Sequence, residues 1–238
     1  MRRGRLDDMN LTNLLDMELL IPQRPAIEPH VFAQRVVPAH WIVLKRLTDI
    51  ILGLVLLLLC APFIAMAAVA IMIVSPGSPF YVQERVGLRG RVFRMYKLRT
   101  MVAGAHQMRD KLRHLNEVDG PVFKIRNDPR LHGFGALLRK LSIDEMPNFI
   151  NVLRGQMSIV GPRPPLPSEV AHYSDYAARR LSVKPGVTCL WQISGRSNTS
   201  FEEWMVLDNL YIDTWTPLGD LGIIAKTVPA VLTGVGAH

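Results

Sequence analysis

One long apolar run dominates the pattern of hydrophobic and polar positions along the chain. The 25 residues from Ile50 to Val74 include no charged side chain, and Pro62 stands at the centre of the run. As an unbroken helix the run would be about 37 Å long, against a bilayer core of about 30 Å, so it is long enough to cross a membrane with some tilt. Soluble domains rarely sustain such a run, and we therefore expect a membrane segment.

The flanks of this run favour a second interpretation. Lys45 and Arg46 precede it, and six basic residues follow between Arg85 and Arg99. Basic flanks tend to stay on the cytoplasmic side of a membrane. A central proline removes a helix hydrogen bond and clashes with the preceding turn. The residues alone leave two alternatives open, a helix that crosses the membrane and a re-entrant segment that bends at Pro62 and leaves on the side it entered.

The pattern after the run predicts a mixed α/β unit that is mainly helical. Residues 80–101 alternate apolar and polar positions around two glycines, which is typical of a hairpin of two short strands. Proline and glycine turns separate the later segments. We predict helices over 102–116, 134–141, 145–154, 168–182, 200–214 and 218–232, and a strand over 187–193. The expected divisions are a variable, flexible lead (1–40), a membrane segment (41–75) and a domain of mixed structure with membrane-surface helices (76–238).

Positive charge is concentrated in one part of the chain. Residues 85–140 hold 14 Lys or Arg against 4 Asp or Glu, whereas the whole chain has a net charge of +8. A basic block beside a membrane segment attracts phosphorylated ligands and anionic headgroups. No nucleic-acid-binding motif accompanies the charge, so we expect no nucleic-acid partner. Cys60 and Cys189 lack metal-ligand spacing and are too few for a disulfide framework.

The densest group of chemically capable residues lies between Leu138 and Pro164. Within it, Asp144 and Glu145 are adjacent carboxylates among arginines and lysines. Neighbouring helix residues point about 100° apart, so one acid could act as nucleophile or base while the other binds a divalent metal. A structural role remains open as well, because Ser142 and Glu145 have the spacing of a capping box. Since a helix N-terminus also binds anions, the structural and the phosphate-binding interpretations point to the same place.

Several motifs, in order along the chain, resemble one known family. They are KRLTDI (45–50), the apolar run with its proline, GSPFYVQERVGLRGRVFRMYKLRTM (77–101), LRKLSIDEMPNFINVLRGQMSIVGPRP (138–164) and PGVTCLWQISGRS (185–197). Together they resemble the bacterial sugar transferases, the small monotopic polyprenyl-phosphate phosphoglycosyl transferases of the type that initiates exopolysaccharide synthesis. The resemblance covers roughly residues 41–234.

The resemblance implies an enzyme at the cytoplasmic face of the bacterial inner membrane, with a re-entrant helix-break-helix at Pro62 and a cytosolic catalytic domain. Asp144 would attack the sugar-bearing phosphorus of a UDP-sugar, release UMP and hold the phospho-sugar covalently. Undecaprenyl phosphate would then accept the phospho-sugar. Glu145 would hold Mg²⁺. The phosphate contacts implied by the motif positions are Lys97, Arg99, Arg139 and Arg163.

The same resemblance favours glucose or galactose as the sugar and makes membrane lipid a further partner. It leaves the oligomeric state open, a homo-oligomer included. Two positions depart from the family pattern. Ala61 precedes Pro62 where serine is usual, and Met146-Pro147-Asn148 stands where Leu-Pro-Gln is common.

A function of another class remains as an alternative. A catalytically silent membrane scaffold could recruit polysaccharide-synthesis proteins through the same basic surface, but it would not need Asp144 and Glu145 together with Arg163. A conventional nucleotide-sugar glycosyltransferase is disfavoured, because the sequence contains no Asp-x-Asp motif.

Overall fold

The computed structural model describes residues 36–195 and 199–233 of the 238-residue chain. The predicted lead therefore lies, up to residue 35, outside the described residues. The elements are helix α1 (Ala39–Val74), strands β1 (Phe80–Val86) and β2 (Val92–Leu98), helices α2 (Ala105–Met108), α3 (Gly133–Lys140) and α4 (Phe149–Leu153), strand β3 (Ser158–Val160), helices α5 (Pro167–Val170) and α6 (Asp175–Ala178), strand β4 (Gly186–Thr188), and helices α7 (Leu190–Ile193), α8 (Phe201–Thr214) and α9 (Pro217–Thr233). Short 3₁₀ helices cover Leu88–Gly90, Asp110–Leu115, Ile143–Asn148 and Arg179–Ser182.

Helix α1 contains the whole apolar run and all of the predicted membrane segment except its last position, Ser75. Its 36 residues correspond to about 54 Å of helix, and its most apolar stretch has a mean hydropathy of 2.8. The helix continues through Pro62. Within this fully described helix, the predicted break therefore does not separate two helices, and the re-entrant path stays a prediction.

One stripe of α1 packs against the rest of the protein, while its other sides expose apolar residues. The buried residues of α1 are Asp49, Gly53, Ala67, Ala68 and Ile71. Gly53 permits a close approach, because a Cβ atom there would lie 3.2 Å from a methyl group of Val152 on α4. Near the other end of the helix, Ile71 packs in a cluster with Leu98 of β2 and Leu138 of α3. Helix α1 is therefore bound along most of its length.

Charged side chains attach the N-terminal part of α1 to the rest of the protein. Lys45 forms an ion pair with Asp220 of α9, with an N–O distance of 2.6 Å. Arg46 donates hydrogen bonds to two carbonyl groups at the C-terminal end of α4, where a cation is favourable. Asp49 accepts hydrogen bonds from the Ser158 hydroxyl and the next main-chain N–H, both at 2.8 Å. The basic flank of the apolar run thus holds the helix in place.

Two small sheets accompany the helices in the described residues. Strands β1 and β2 form an antiparallel hairpin whose register runs from Phe80 opposite Leu98 to Val86 opposite Val92. Strands β3 and β4 are parallel. The hairpin is confirmed, and so is the predicted class of a mixed, mainly helical domain.

Two predicted helices are wrong in extent. The segment 102–116 forms only the four-residue α2 and a 3₁₀ helix. Ala105 is its one buried position within those described elements, and a short helix needs a packed apolar face to be stable. The segment 168–182 is divided because Ser174 begins a new helix, its hydroxyl accepting a hydrogen bond from the Ala177 N–H.

The predicted strand over 187–193 is also wrong in extent. It ends at Thr188, and helix α7 follows. Its partner β3 ends at Val160, directly before Gly161 and Pro162, and proline cannot donate a ladder hydrogen bond. A short apolar run alone does not distinguish strand from helix.

Candidate active site

Asp144 and Glu145 lie on the 3₁₀ helix Ile143–Asn148, directly before α4. The sequence predicted a helix from about residue 145, and its first part has this tighter winding. Ser142 adopts a left-handed backbone with φ of 55°, and within the described structure its side chain makes no capping hydrogen bond. The capping-box interpretation is therefore wrong, and the Glu145 carboxylate is directed to another partner.

That partner is Lys97 on β2, whose ammonium nitrogen lies 2.7 Å from a Glu145 oxygen. The buried side chain of Asn151 fixes β2 at this position. It donates to the Arg94 carbonyl at 2.7 Å and accepts from the Tyr96 N–H at 3.2 Å. Because Asn151 is on α4, immediately after the 3₁₀ helix, these bonds set the distance between Lys97 and the two carboxylates.

The pKa values of the two adjacent carboxyl groups are shifted in opposite directions. Burial raises the pKa of Asp144 to about 6; Lys97 opposes this rise and Glu145 adds to it. Burial also acts to raise the pKa of Glu145, but the cations Lys97 and Arg163 hold it at about 2. Glu145 is therefore firmly ionised, and Asp144 is the more basic of the two.

Two further cations lie beside the carboxylates. Arg139, at the end of α3, donates to the Thr100 hydroxyl at 3.1 Å, and burial lowers its pKa. Arg85 of β1 donates to the Pro164 carbonyl at 2.9 Å. Burial, followed by the repulsion of Arg163, lowers the pKa of Arg85 to about 10. Both remain positively charged near neutral pH.

Arg163 lies in the extended segment after β3. Its guanidinium carbon is 5.9 Å from the ring centroids of both Trp191 and Trp204, and these two rings stack 4.6 Å apart. Its carbonyl accepts a hydrogen bond from Arg180 at 3.0 Å. No described residue forms an ion pair with the Arg163 guanidinium, which is held by aromatic faces and is suited to an anionic ligand.

Arg99 and Pro62 have different surroundings from the other predicted site residues. The Arg99 guanidinium donates to the carbonyl groups of Ser75 and Pro76, just after α1. Pro62 is exposed on α1. Arg99 therefore holds the end of α1 beside β2, and its contact with phosphate stays a prediction.

A cavity of about 1030 Å³ joins these groups. Its lining includes Asp144, Glu145, Lys97, Arg99, Arg139 and Arg163, and also Arg85, Trp191 and Trp204. Apart from Pro62, the structure thus brings all the predicted site residues to one cavity. The cations around Asp144 and Glu145 outnumber the two carboxylates, which favours a ligand carrying several negative charges.

The comparison with known proteins agrees with this arrangement. The family model for bacterial sugar transferases matches residues 40–234. The chain belongs to the bacterial sugar transferase family. This confirms the resemblance inferred from the motifs, and the matched segment agrees closely with the expected residues 41–234.

Named relatives of this sugar transferase share between a third and a half of their aligned residues with it. It is 44% identical over 197 residues to "Galactosyl transferase CpsE" of Streptococcus agalactiae, covering 82% of this chain and 44% of that protein. It is 37% identical over 198 residues to "Exopolysaccharide production protein ExoY" of Rhizobium meliloti, covering 82% and 88%. The "UDP-glucose:undecaprenyl-phosphate glucose-1-phosphate transferase" of Caulobacter vibrioides is 40% identical over 205 residues, covering 82% and 72%. The chain thus spans less than half of the first relative and most of the other two.

Arg85 and Asn148 are two polar residues of the cavity that were not among the predicted site residues of this sugar transferase. Arg85 was one of six basic residues in a short segment, and the pattern did not distinguish it from its neighbours. Asn148 was noted only as a departure from the common Leu-Pro-Gln pattern. In the structure it is 2% exposed and lines the cavity.

The residues present fit a magnesium ion that arrives with a phosphorylated ligand. Mg²⁺ typically binds one or two protein oxygens and completes its shell with substrate phosphates and water. Over residues 36–195 and 199–233, no cluster of three or more His, Cys, Asp or Glu side chains is suited to hold a metal. Glu145 nevertheless offers an ionised carboxylate, and the buried Oδ1 of Asn148 has no hydrogen-bond partner among the described residues. Both are oxygen donors of the kind that Mg²⁺ prefers.

Proposed function

We propose that this sugar transferase moves a sugar 1-phosphate from a UDP-sugar to undecaprenyl phosphate, with release of UMP, in the first membrane step of exopolysaccharide synthesis. One observation carries the proposal: a buried carboxyl group with a raised pKa, Asp144, lies in a large cavity beside an excess of cations. The names of the relatives, which include a galactosyl transferase and a UDP-glucose:undecaprenyl-phosphate glucose-1-phosphate transferase, favour UDP-galactose or UDP-glucose as the donor.

In the first step, the Asp144 carboxylate attacks the phosphorus that bears the sugar. A bond forms between a carboxylate oxygen and phosphorus, and the bond from that phosphorus to the bridging oxygen breaks, so UMP leaves with the electron pair. In the second step, a phosphate oxygen of the lipid attacks the same phosphorus, releases Asp144 and forms a polyprenyl-diphosphate sugar. With a pKa of about 6, Asp144 is mostly ionised at neutral pH and more basic than an exposed carboxylate.

The cations supply what this reaction most needs, the neutralisation of negative charge. Arg163, Arg139 and Arg85 line the cavity and can each donate to phosphate oxygens. Lys97 binds Glu145 in the structure and would turn to the diphosphate when a cation binds Glu145. When bound, Mg²⁺ would neutralise charge on the departing phosphate; Glu145 would hold it, with the diphosphate oxygens of the substrate.

The contacts of α1 support a monotopic protein at the cytoplasmic face of the inner membrane. Lys45, near one end of the helix, binds Asp220, and Ile71, near the other end, packs against Leu98. A helix that crossed the bilayer would carry one end away from a domain that lies on one side. Both ends instead contact the same domain, as expected if α1 enters and leaves on one side.

The hairpin supports a lipid acceptor that approaches from the side of α1. Tyr81 and Val82 line the cavity although 46% and 45% of their surfaces are exposed. Tyr81 is paired with Lys97 across the hairpin, and the next pair includes Leu98, which packs on α1. An isoprenoid chain could rest on these apolar side chains while its phosphate reaches the cations.

The test is UMP release by the full-length protein in nanodiscs, with Mg²⁺, undecaprenyl phosphate and a panel of UDP-sugars. We expect release from one sugar and none by Asp144→Asn. Without the lipid, intact-protein mass spectrometry should show one added hexose phosphate on the wild-type chain and none on Asp144→Asn. Release at the wild-type rate by Asp144→Asn would contradict the nucleophile, and no release from any donor would favour the silent scaffold.

The membrane topology has its own test. Single cysteines at His40 and Ser78, in a chain whose Cys60 and Cys189 are replaced by serine, should both react with an impermeant thiol reagent added to the cytoplasmic side. Labelling from opposite sides would contradict the monotopic arrangement and show a crossing helix.

A further inference from the structure

Asn148 is a buried polar residue whose presence the fold does not explain. The residue is 2% exposed, and among the described residues its side-chain Oδ1 atom has no hydrogen-bond partner. A buried acceptor without a partner is costly to the folded state, and such groups are rare in native structures. Asn148 lines the cavity, so a ligand in the cavity is a natural source for the missing contact.

The winding of the backbone relates Asn148 to Glu145. Both residues lie on the 3₁₀ helix Ile143–Asn148. A 3₁₀ helix has three residues per turn, so side chains at positions i and i+3 are eclipsed. Glu145 and Asn148 are related in this way, and both line the cavity. Their oxygen atoms are thus presented on one side of the same short helix.

A cation is the ligand that these two oxygens suit. Glu145 already binds a positive charge, the ammonium group of Lys97 at 2.7 Å. A carboxylate and a neutral amide oxygen are the oxygen donors that Mg²⁺ and Mn²⁺ take, with the remaining positions left to phosphate and water. A sugar hydroxyl could also donate to Asn148, but it would not need an ionised carboxylate one turn away.

We propose that the side-chain oxygen of Asn148 is the second protein ligand of the divalent cation held by Glu145. The inference rests on the proposed function for the role of that cation. It gives the departure from the common Leu-Pro-Gln pattern a definite meaning, since asparagine is the shorter amide and holds its oxygen closer to the helix.

The experiment measures Mn²⁺ binding to the full-length protein in detergent by the loss of the free Mn²⁺ signal in electron paramagnetic resonance. No UDP-sugar or lipid is added. We expect Asn148→Ala to weaken Mn²⁺ binding at least roughly tenfold, because even the loss of an outer-shell partner of a metal ligand typically costs that much. Asn148→Asp keeps an oxygen at the same position and adds a charge, so it should bind Mn²⁺ at least as tightly as the wild type. Gln107→Ala is the matched control, because it removes an exposed amide that lines the same cavity from α2 and should leave the affinity unchanged.

Each result decides the proposal. An unchanged affinity in Asn148→Ala, an affinity in Asn148→Asp as weak as in Asn148→Ala, or no Mn²⁺ binding by the wild type would overturn it. If Asn148→Ala fails to fold, the isosteric Asn148→Asp decides, and Mn²⁺ binding weaker than in the wild type would overturn the proposal. Binding is measured without turnover, so a failed transfer reaction leaves this result readable. Turnover that depends on Asp144, together with unchanged Mn²⁺ binding in Asn148→Ala, would overturn the ligand role of Asn148 alone.

Discussion

Two buried ion pairs in this protein have opposite surroundings. Arg180 and Asp208 lie 2.7 Å apart, with side chains that are 0% and 1% exposed. Arg180 also packs over the Trp204 ring at 4.6 Å and donates to Tyr173 at 2.9 Å. One charge thus balances the other, and the remaining neighbours enclose the pair. Such an arrangement binds elements of the fold to one another, here α8 to the 3₁₀ helix Arg179–Ser182.

The pair of Lys97 and Glu145 is equally close but open. Its side chains are 13% and 31% exposed, and both line the cavity. The cavity is also lined by Arg85, Arg139 and Arg163, and none of these three forms a salt bridge among the described residues. Removal of one member of an ion pair should therefore change the stability of the fold by different amounts at the two pairs. At the enclosed pair it leaves an uncompensated buried charge, whereas at the open pair other charges replace the missing one. An excess of charged side chains of one sign that faces a cavity indicates a binding site for a ligand of the opposite charge. A buried pair whose two charges balance indicates a role in stabilising the fold.

The largest expected effect is a loss of turnover on substitution of Asp144, which lies next to the open pair of Lys97 and Glu145. Asp144→Asn should lower turnover by at least about a thousandfold, because the nucleophile is lost.

The same change should stabilise the fold at pH 7 to 8, by at most about 3 kcal/mol for a pKa raised from 3.8 to about 6. A folded-state pKa above the unfolded value means that the ionised carboxyl group disfavours folding, and asparagine carries no charge. Thermal unfolding at pH 8 and at pH 4 checks this, since the gain should shrink at the lower pH. An Asp144→Asn variant that is inactive and also less stable at pH 8 would contradict the raised pKa of Asp144.

The second prediction concerns the enclosed pair. Arg180→Leu should destabilise the fold by about 3 to 5 kcal/mol, because Asp208 is left as a buried charge without its partner. Burial raises the pKa of Asp208 to about 6 even with Arg180 present to oppose it. The double variant Arg180→Met with Asp208→Leu should recover most of the stability. Urea unfolding of the detergent-held protein measures both, and equal losses in the single and the double variant would contradict the role of charge balance.

The third prediction makes the same change at the open pair. Lys97→Met should reduce turnover about a hundredfold but cost no more than about 1 to 2 kcal/mol of stability, because Arg163 and Arg85 still face Glu145. Arg94→Met is the matched control, since Arg94 is exposed on the same strand and its variant should keep wild-type turnover. A stability loss in Lys97→Met as large as in Arg180→Leu would remove the distinction between the two pairs.

The contrast between the two pairs also shows what the sequence could predict. Helix α1, the hairpin and helices α8 and α9 have clear apolar patterns bounded by turn or charged residues, and their positions were predicted well. The dyad, Lys97, Arg139 and Arg163 were predicted from motifs. The ion pair of Arg180 with Asp208 was not, because its members are 28 positions apart and only tertiary packing brings them together.

The misplaced elements have local causes that a residue pattern does not show. Ser174 caps a new helix inside the predicted helix 168–182, and the 3₁₀ winding of Ile143–Asn148 places Asn148 below Glu145. Arg99 lines the cavity and also donates to carbonyl groups at the end of α1, and its contact with phosphate stays a prediction. In each case the sequence named the right residue types, but backbone geometry decided what those residues contact.

The smallest expected effect is a pH dependence of the reaction rate, which distinguishes Asp144 at the cavity from Asp208 in the enclosed pair. The rate of the first step, followed as UMP release in a single turnover without lipid, should fall about tenfold per pH unit below pH 6 and be constant above it. Asp144 attacks only when ionised, and its raised pKa of about 6 puts the loss of the ionised form there. Glu145, whose pKa is held at about 2, stays ionised throughout.

The control concerns Asp208, whose pKa is also raised to about 6 but which lies in the enclosed pair. The break at pH 6 should therefore persist in the double variant Arg180→Met with Asp208→Leu, which lacks that carboxyl group. A rate that stays constant down to pH 5 would contradict the raised pKa of Asp144. A break that disappears in the double variant would show that Asp208, and not Asp144, is the titrating group.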